Sequence, residues 1–217
     1  THVIIDIPVG KTAKVRSESD AKHLEFYFHR VAKEIGLNIK VLITDGSQPV
    51  GRGIGPSLEA LDVLAVFQQT SNRPLDLEER AVLIAGTLLE MADEVISGNG
   101  HATAKGLLQS GIAWKKFQAI CEAQGGFREP VLGKLQHEVL ARNSGQVLEI
   151  DNRRLAKVAK LSGAPSRPGA GVLMHCKVGQ LLMAGEPMLT LYAETSGELN
   201  YAKDYLEKEF NEIIKLS

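Results

Sequence analysis

Cysteine is scarce. Cys121 and Cys176 are the only two in 217 residues, too far apart for a thiolate metal site and too few for a disulfide framework. That usage suits a reducing compartment, and a cytoplasmic location is the expectation. Charge in excess is missing as well: 25 Lys and Arg against 26 Asp and Glu leave a formal net charge of −1. No electrostatic footprint for nucleic acid or an anionic membrane follows from it. No apolar run reaches the roughly 18 residues that a bilayer-spanning helix needs, and no signal peptide is recognisable. The usual nucleotide signatures are absent too. Gly51-Arg52-Gly53-Ile54-Gly55 is not GxGxxG, and no Lys-Ser or Lys-Thr follows Gly55 as a P-loop requires. His23 and His29 have no carboxylate or second His at ligand spacing, so they read as surface or packing residues.

What is present is an ordinary soluble composition, 44% hydrophobic and 24% charged, in a chain long enough for one large or two small domains. One stretch organises it. Ile39 to Ile43 is a strand-like run, Thr44 to Gly55 is rich in glycine, and an apolar-periodic run begins at Leu58. Strand, glycine-rich turn and helix is the reading, with Pro56 suited to the first helical position. The residues alone take this no further than a loop that turns sharply and could coordinate an ion or order a neighbouring loop.

Upstream, Val3 to Ile7 is apolar at nearly every position, the pattern of a strand buried on both faces. A chain that starts at Thr1 just before such a strand reads as cut from something longer. Pro8 should close the strand. Ser17 or Ser19 should cap a helix running to Gly36, with Leu24, Tyr27, Phe28, Val31 and Ile35 on its inner side. With strand Ile39 to Ile43 this makes a β-α-β unit with parallel strands, of the doubly wound kind. Ligands there gather beyond the carboxyl ends of the strands, and Pro8 to Ala13 and Asp45 to Gly55 are both expected at such ends, facing one crevice. Next come a helix with Leu58, Leu61, Ala65 and Val66 inward and a break at Ser71 to Pro74. A core helix follows, through Leu77, Ala81, Ile84, Ala85, Leu88, Met91, Ala92 and Val95, with Asp76 as N-cap and Glu79 as capping-box carboxylate. One further helix, Thr103 to Ala123, should carry Trp114 and Phe117 as core anchors.

Composition changes after Phe127, so residues 1–127 and 128–217 are the expected domains. The second reads as short strands (Glu138 to Ala141, Gly145 to Ile150), a short helix (Asn152 to Leu161), a second such unit begun by Gly169 to Met174 and completed by Val178 to Leu189, and an amphipathic helix from Tyr201 to Ile214. The fold class is therefore α/β: the parallel β-α-β part of a doubly wound domain, then a small α+β, barrel-sandwich-like C-terminal domain. His175 and Cys176 are adjacent and should point to opposite faces of a strand, which argues against a shared metal or a Cys–His pair.

Asp45-Gly46-Ser47-Gln48-Pro49-Val50-Gly51, with Gly55-Pro56-Ser57-Leu58-Glu59-Ala60, resembles the thymidine and pyrimidine-nucleoside phosphorylases, and is closer to their AMP phosphorylase branch. Asp6 with Val9 to Ala13 resembles their Asp-Val-Lys-x-Gly-x-Gly-Ala segment, with Pro8 and Thr12 as departures. The stretch Gly169 to Leu189 is similar to their C-terminal domain, which is shaped like biotinyl and lipoyl carriers. A carrier role is not expected, because no lysine follows at the hairpin and Lys177 lies too early. The resemblance implies the second half of such an enzyme, without the N-terminal helical domain and phosphate loop. It implies a pentosyltransferase that cleaves thymidine or related pyrimidine nucleosides with phosphate, giving free base and a pentose 1-phosphate. Alternatives left open are an AMP phosphorylase and a non-catalytic binding module. No catalytic residue is expected in these 217 residues, and the isolated chain should not turn over. Substrate contacts would be Arg52 and Lys11. No cofactor is required, but the resemblance implies a monovalent cation, potassium, held by the carbonyls of Val50 and Gly53 and the carboxylate of Asp62. Partners would be nucleoside or nucleotide and inorganic phosphate, with a homodimeric parent and neither nucleic acid nor membrane.

Overall fold

The first apolar run becomes β1, His2–Val9, and the run before the glycine-rich stretch becomes β2, Asn38–Asp45. They pair in parallel, from His2 opposite Asn38 to Val9 opposite Asp45. These elements come from a computed structural model that describes residues 2–217. The crossover is α1, Glu18–Glu34, started by Ser17, whose Oγ accepts the N–H of Asp20 at 3.1 Å. A parallel pair needs such a crossover, so the β-α-β reading holds. Pro8 does not end the strand but sits inside it, opposite Thr44. Proline is tolerated in a strand where its missing N–H faces no partner, and β1 pairs only with β2 among the described residues.

Two expectations about burial fail, and for one reason. In β1 only Ile7 is buried. On α1 the buried residues are Ala21 and Ala32, while Tyr27 is 61%, Val31 59% and Ile35 68% exposed, and Leu24 and Phe28 are exposed too. A two-stranded sheet has too little face to cover a full apolar stripe, and the helix meets it through small residues. An exposed stripe of this size favours self-association. Replacing Tyr27 and Val31 together with Lys should leave stability within about 0.5 kcal/mol, as for other exposed positions, and should lower the apparent mass in light scattering.

The chain folds as two compact units. The first runs to Gly46 and resumes over Leu64–Arg128. Besides the β-α-β element it holds α3 (Leu75–Met91), α4 (Gly100–Gln109) and α5 (Ile112–Ala123). Its helical core is Val66, Val82, Ala104 and Leu108, flanked by Phe67, Leu77, Leu89 and Ala113. The face of α3 differs from the expected one: Glu78, Val82, Gly86 and Thr87 are buried, while Ala81, Ala85 and Leu88 point out. Buried Glu78 is held by Arg73 and by Gln69 Nε2 at 2.8 Å, and these donors keep its carboxyl below the usual range. Pro74, not Asp76, occupies the N-cap position of α3, and Glu79 turns to His101 instead (2.6 Å). Thr103 to Ala123 is two helices rather than one, because Gly111 adopts φ +76°. Phe67, Trp114, Phe117 and Phe127 form one aromatic cluster, with Phe67 stacked on Phe117 at 4.7 Å. Trp114 itself stays half-buried.

The second unit joins Ser47–Val63 to Glu129–Ser217. Its elements are β3 (Gly53–Ile54), the first part of α2 (Pro56–Phe67), β4 (Leu135–Leu140), β5 (Gly145–Ile150), α6 (Asn152–Leu161), β6 (Gly171–Met174), β7 (Leu181–Leu182), β8 (Pro187–Ala193), α7 (Ser196–Ile213) and β9 (Ile214–Leu216). They form two small sheets, β3-β6-β8-β4 and β7-β5-β9, with antiparallel pairing throughout. Val147, Ile150, Leu155, Val158, Val172, Met188, Leu191 and Leu206 lie in its core. Asp151 starts α6 by accepting the N–H groups of Arg153 (2.9 Å) and Arg154 (3.0 Å). On α7, Leu206, Phe210 and Ile213 face inward as expected, and Leu61 on α2 does not. The molecule is thus α/β, a parallel β-α-β element with helices plus a small α+β unit.

Candidate functional site

The glycine-rich stretch does not dangle between helix and strand. Its central residues are built into the second unit. Gly53 pairs with Leu173 and Ile54 with Val172, so the loop supplies the edge strand β3 to the sheet. The N–H of Met174 adds a bond to the carbonyl of Arg52 at 2.8 Å, and the N–H of Ser57 one to Pro168 at 3.0 Å. Glycine is needed here for space: a Cβ on Gly53 would lie 2.4 Å from the backbone carbon of Leu58. Such an approach is closed to every side chain.

Asp62, on α2 and nearly fully buried, turns back to brace the loop. One carboxylate oxygen, Oδ2, accepts the N–H of Arg52 at 2.5 Å and of Gly53 at 2.7 Å. The other, Oδ1, faces Arg52 Nη2 at 3.4 Å. Both oxygens therefore meet hydrogen-bond donors. A monovalent cation at Asp62 Oδ2 would meet the positive ends of two N–H dipoles, an arrangement that suits an anion and not a cation. Lys177 also meets the loop, its Nζ donating to the carbonyl of Pro49 at 2.7 Å and of Gly51 at 2.6 Å. Val178 N–H donates to Gln48 Oε1 at 2.8 Å. Arg52 Nε is buried with no hydrogen-bond partner among the described residues.

The first unit carries its own polar cluster at the carboxyl ends of β1 and β2. Thr44 Oγ1 donates to Asp6 Oδ1 at 2.6 Å. Arg80, from α3, donates to Asp6 Oδ2 at 2.9 Å and to the carbonyl of Asp45 at 2.8 Å. Gly46 N–H closes onto the carbonyl of Val9 at 2.8 Å. Beyond β1, Gly10 to Ala13 form a turn, with Ala13 N–H on Gly10 O at 2.9 Å, and Lys11 stands exposed at its tip. Of the expected site residues, Lys11 thus falls in one unit and Val50, Arg52, Gly53 and Asp62 in the other. Arg80 and Lys177 are site residues that the sequence does not mark. Each acts on partners far along the chain, and no local pattern marks them.

Two histidines of the second unit are shifted. Partial loss of solvent around the rings holds His137 and His175 below their ordinary value near 6.5, although His175 is exposed as a residue; Lys203 adds to the effect at His137, and Arg52 at His175. His175 Nε2 lies 2.7 Å from Thr190 Oγ1. Because these imidazoles lose their protons at lower pH when folded, the unfolded chain binds more protons between the lowered values and about pH 6.5. Stability should rise with pH through that window and fall as it is acidified. The midpoint of thermal unfolding from pH 7 to pH 5.5 should vary less in the double variant His137→Gln, His175→Gln than in the unaltered chain. The Cys176 thiol is pushed up to about 11 by burial, and its Sγ lies 3.6 Å from Met188 O. It should stay inert to alkylation at neutral pH. No cluster of three or more His, Cys, Asp or Glu placed to hold a metal occurs among the described residues, and no helix there is long and apolar enough to cross a membrane.

Compared with known proteins, the chain is 52% identical over 214 residues to a protein of Legionella pneumophila (strain Corby) named "Putative thymidine phosphorylase", covering 99% of this chain and 41% of that one. A protein of the same name from Maricaulis maris (strain MCS10) is 51% identical over 216 residues, 100% of this chain and 41% of its own. Another, from Ralstonia nicotianae (strain ATCC BAA-1114 / GMI1000), is 53% identical over 205 residues, 94% of this chain and 40% of its own. No family model matches. The resemblance seen in the glycine-rich stretch therefore extends over nearly all of these residues, while the chain spans about two-fifths of the length of the relatives it matches.

Proposed function

We propose that this chain, kin to the thymidine phosphorylases along nearly its whole length, is the later portion of a nucleoside phosphorylase. The observation that carries the reading is 52% identity across 99% of the chain. The reaction has a phosphate oxygen attack the anomeric carbon of a nucleoside while the C–N bond to the base breaks. The electron pair leaves with the base, which then takes up a proton. Catalysis of that kind rests on fixing phosphate and on stabilising charge on the departing base.

In this reading the 217 residues supply scaffold and a phosphate contact rather than the base-gripping groups. Arg52, in the glycine-rich loop and with a guanidinium Nε that has no hydrogen-bond partner among the described residues, is the phosphate contact. A pyrimidine nucleoside is the substrate class, in keeping with the relatives' printed name. The AMP branch is a second reading, favoured by Pro8 in place of a lysine and by the arginine in the loop. The partner set is nucleoside, or nucleotide, plus inorganic phosphate.

The test is phosphate-dependent release of base by the longer protein containing this chain, offered thymidine, uridine and AMP side by side. Thymine or uracil supports the pyrimidine reading; adenine from AMP alone moves the protein to the nucleotide branch. Release of no base from any of them rejects phosphorolysis and leaves a binding module. Arg52→Ala in that protein should raise the Michaelis constant for phosphate about tenfold, the loss of one charge-assisted hydrogen bond. An unchanged constant removes Arg52 from the phosphate site.

A further inference from the structure

We infer that the glycine-rich loop carries its own built-in cation, the ammonium of Lys177, and that no monovalent metal ion is needed to hold it. The carbonyls of Pro49 and Gly51 both point at Lys177 Nζ, at 2.7 and 2.6 Å. Two carbonyl oxygens converging at that range on one positive centre are what a loop offers to potassium, and an ammonium has a similar size and takes the same partners. An ammonium has three protons, and the loop carbonyls take two of them. The carboxylate of Asp62, for its part, faces the N–H groups of Arg52 and Gly53 and the guanidinium of Arg52. The carbonyls of Pro49 and Gly51 and the carboxylate of Asp62 are thus each met by groups of the chain itself.

The placement of Lys177 is fixed, not incidental. It follows β6, whose residues Val172 and Leu173 pair with Ile54 and Gly53. It opens a tight turn in which Gln180 N–H donates to Lys177 O at 3.1 Å and Gln180 Oε1 accepts Lys177 N–H at 3.2 Å. Its neighbour Val178 holds Gln48 by a backbone N–H at 2.8 Å, and Met174 N–H holds Arg52 O. Residues 174–178 therefore grip residues 48–52 at four backbone or side-chain points, and the lysine supplies the charge. Lys177 is half-buried, where a charge-assisted bond is stronger than at an open surface. None of this needs the phosphorylase reading, since every group named lies in one unit of this chain.

The experiment follows thermal unfolding of the 217-residue chain in potassium, sodium and choline chlorides at one ionic strength, with the variants Lys177→Met and Lys177→Ala alongside. The unaltered chain should show the same midpoint in all three salts, within about 1 °C. Lys177→Met should unfold about 5 °C lower, the scale expected for losing two charge-assisted bonds in a chain of this size. In Lys177→Ala, the gap left by the ammonium should be filled from solution, so that potassium or ethylammonium restores a good part of the loss and choline does not. A potassium-specific rise in the unaltered chain would overturn the proposal, and that measurement needs no variant to fold. So would a Lys177→Met variant as stable as the parent, or a Lys177→Ala variant that neither ion restores.

Discussion

Gly53→Ala should lower the stability of the chain by about 3 kcal/mol, the upper range for forcing extra atoms into a packed site. The added methyl would meet the backbone carbon of Leu58 at 2.4 Å and its oxygen at 2.5 Å. Backbone atoms offer no rotamer by which to move aside, so either β3 must leave β6 or α2 must shift as a body. Urea unfolding followed by circular dichroism measures the loss. Gly106→Ala is the control, because its position on α4 has nothing within 4 Å and alanine is the better helix former. That variant should gain about 0.5–1 kcal/mol. Equal stability of Gly53→Ala and the parent would mean that the loop does not lie against α2 as described.

Asp62→Ala should be the more severe of the two carboxylate substitutions at this loop, costing about 3–4 kcal/mol. It strands two backbone N–H groups, each worth about 1–3 kcal/mol when buried unpaired, and leaves the Arg52 guanidinium without its acceptor. Asp62→Asn keeps one amide oxygen to accept from Arg52 and Gly53 and should lose about half as much. If both variants cost the same, the charge on Asp62, rather than its hydrogen bonding to the loop, holds the segment in place. Side-chain exposure of 6% for Asp62 and 34% for Arg52 favours the hydrogen bonds as the larger contribution, since the outer partner is screened by solvent.

How much of this was legible depended on how local its cause is. β5 and α6 were readable to the residue from short runs whose determinants are local, and in the structure Asp151 caps α6 through its immediate neighbours. The parallel β-α-β element was readable from two apolar runs and a capping serine, Ser17 or Ser19, of which the structure uses Ser17. The inward face of α1 was not legible, because periodicity shows where a stripe lies and not whether anything covers it; Tyr27, Val31 and Ile35 form a stripe that stays open. The break at Gly111 was hidden because the apolar spacing continues through it, although one residue at positive φ suffices to divide a helix. At the candidate site, the glycines were legible and their partners were not. Nothing near Asp62 announces that it binds the loop N–H groups, and nothing near Lys177 or Arg80 names carbonyls more than thirty residues away. Short-range grammar located the loop; long-range pairing decided what it is fastened to.

Because β3 belongs to a sheet whose other strands lie far downstream, the order of synthesis matters to it. Gly53 leaves the ribosome about 120 residues before its partner Leu173, an interval on the order of 10 s at ordinary elongation rates. Throughout that time the loop has neither β6 nor Lys177 to receive it, and its backbone groups are available to any other edge. Slowing translation between the two segments should therefore enlarge the fraction captured by chaperones or lost to aggregation, and supplying residues 129–217 as a separate chain during synthesis should reduce it.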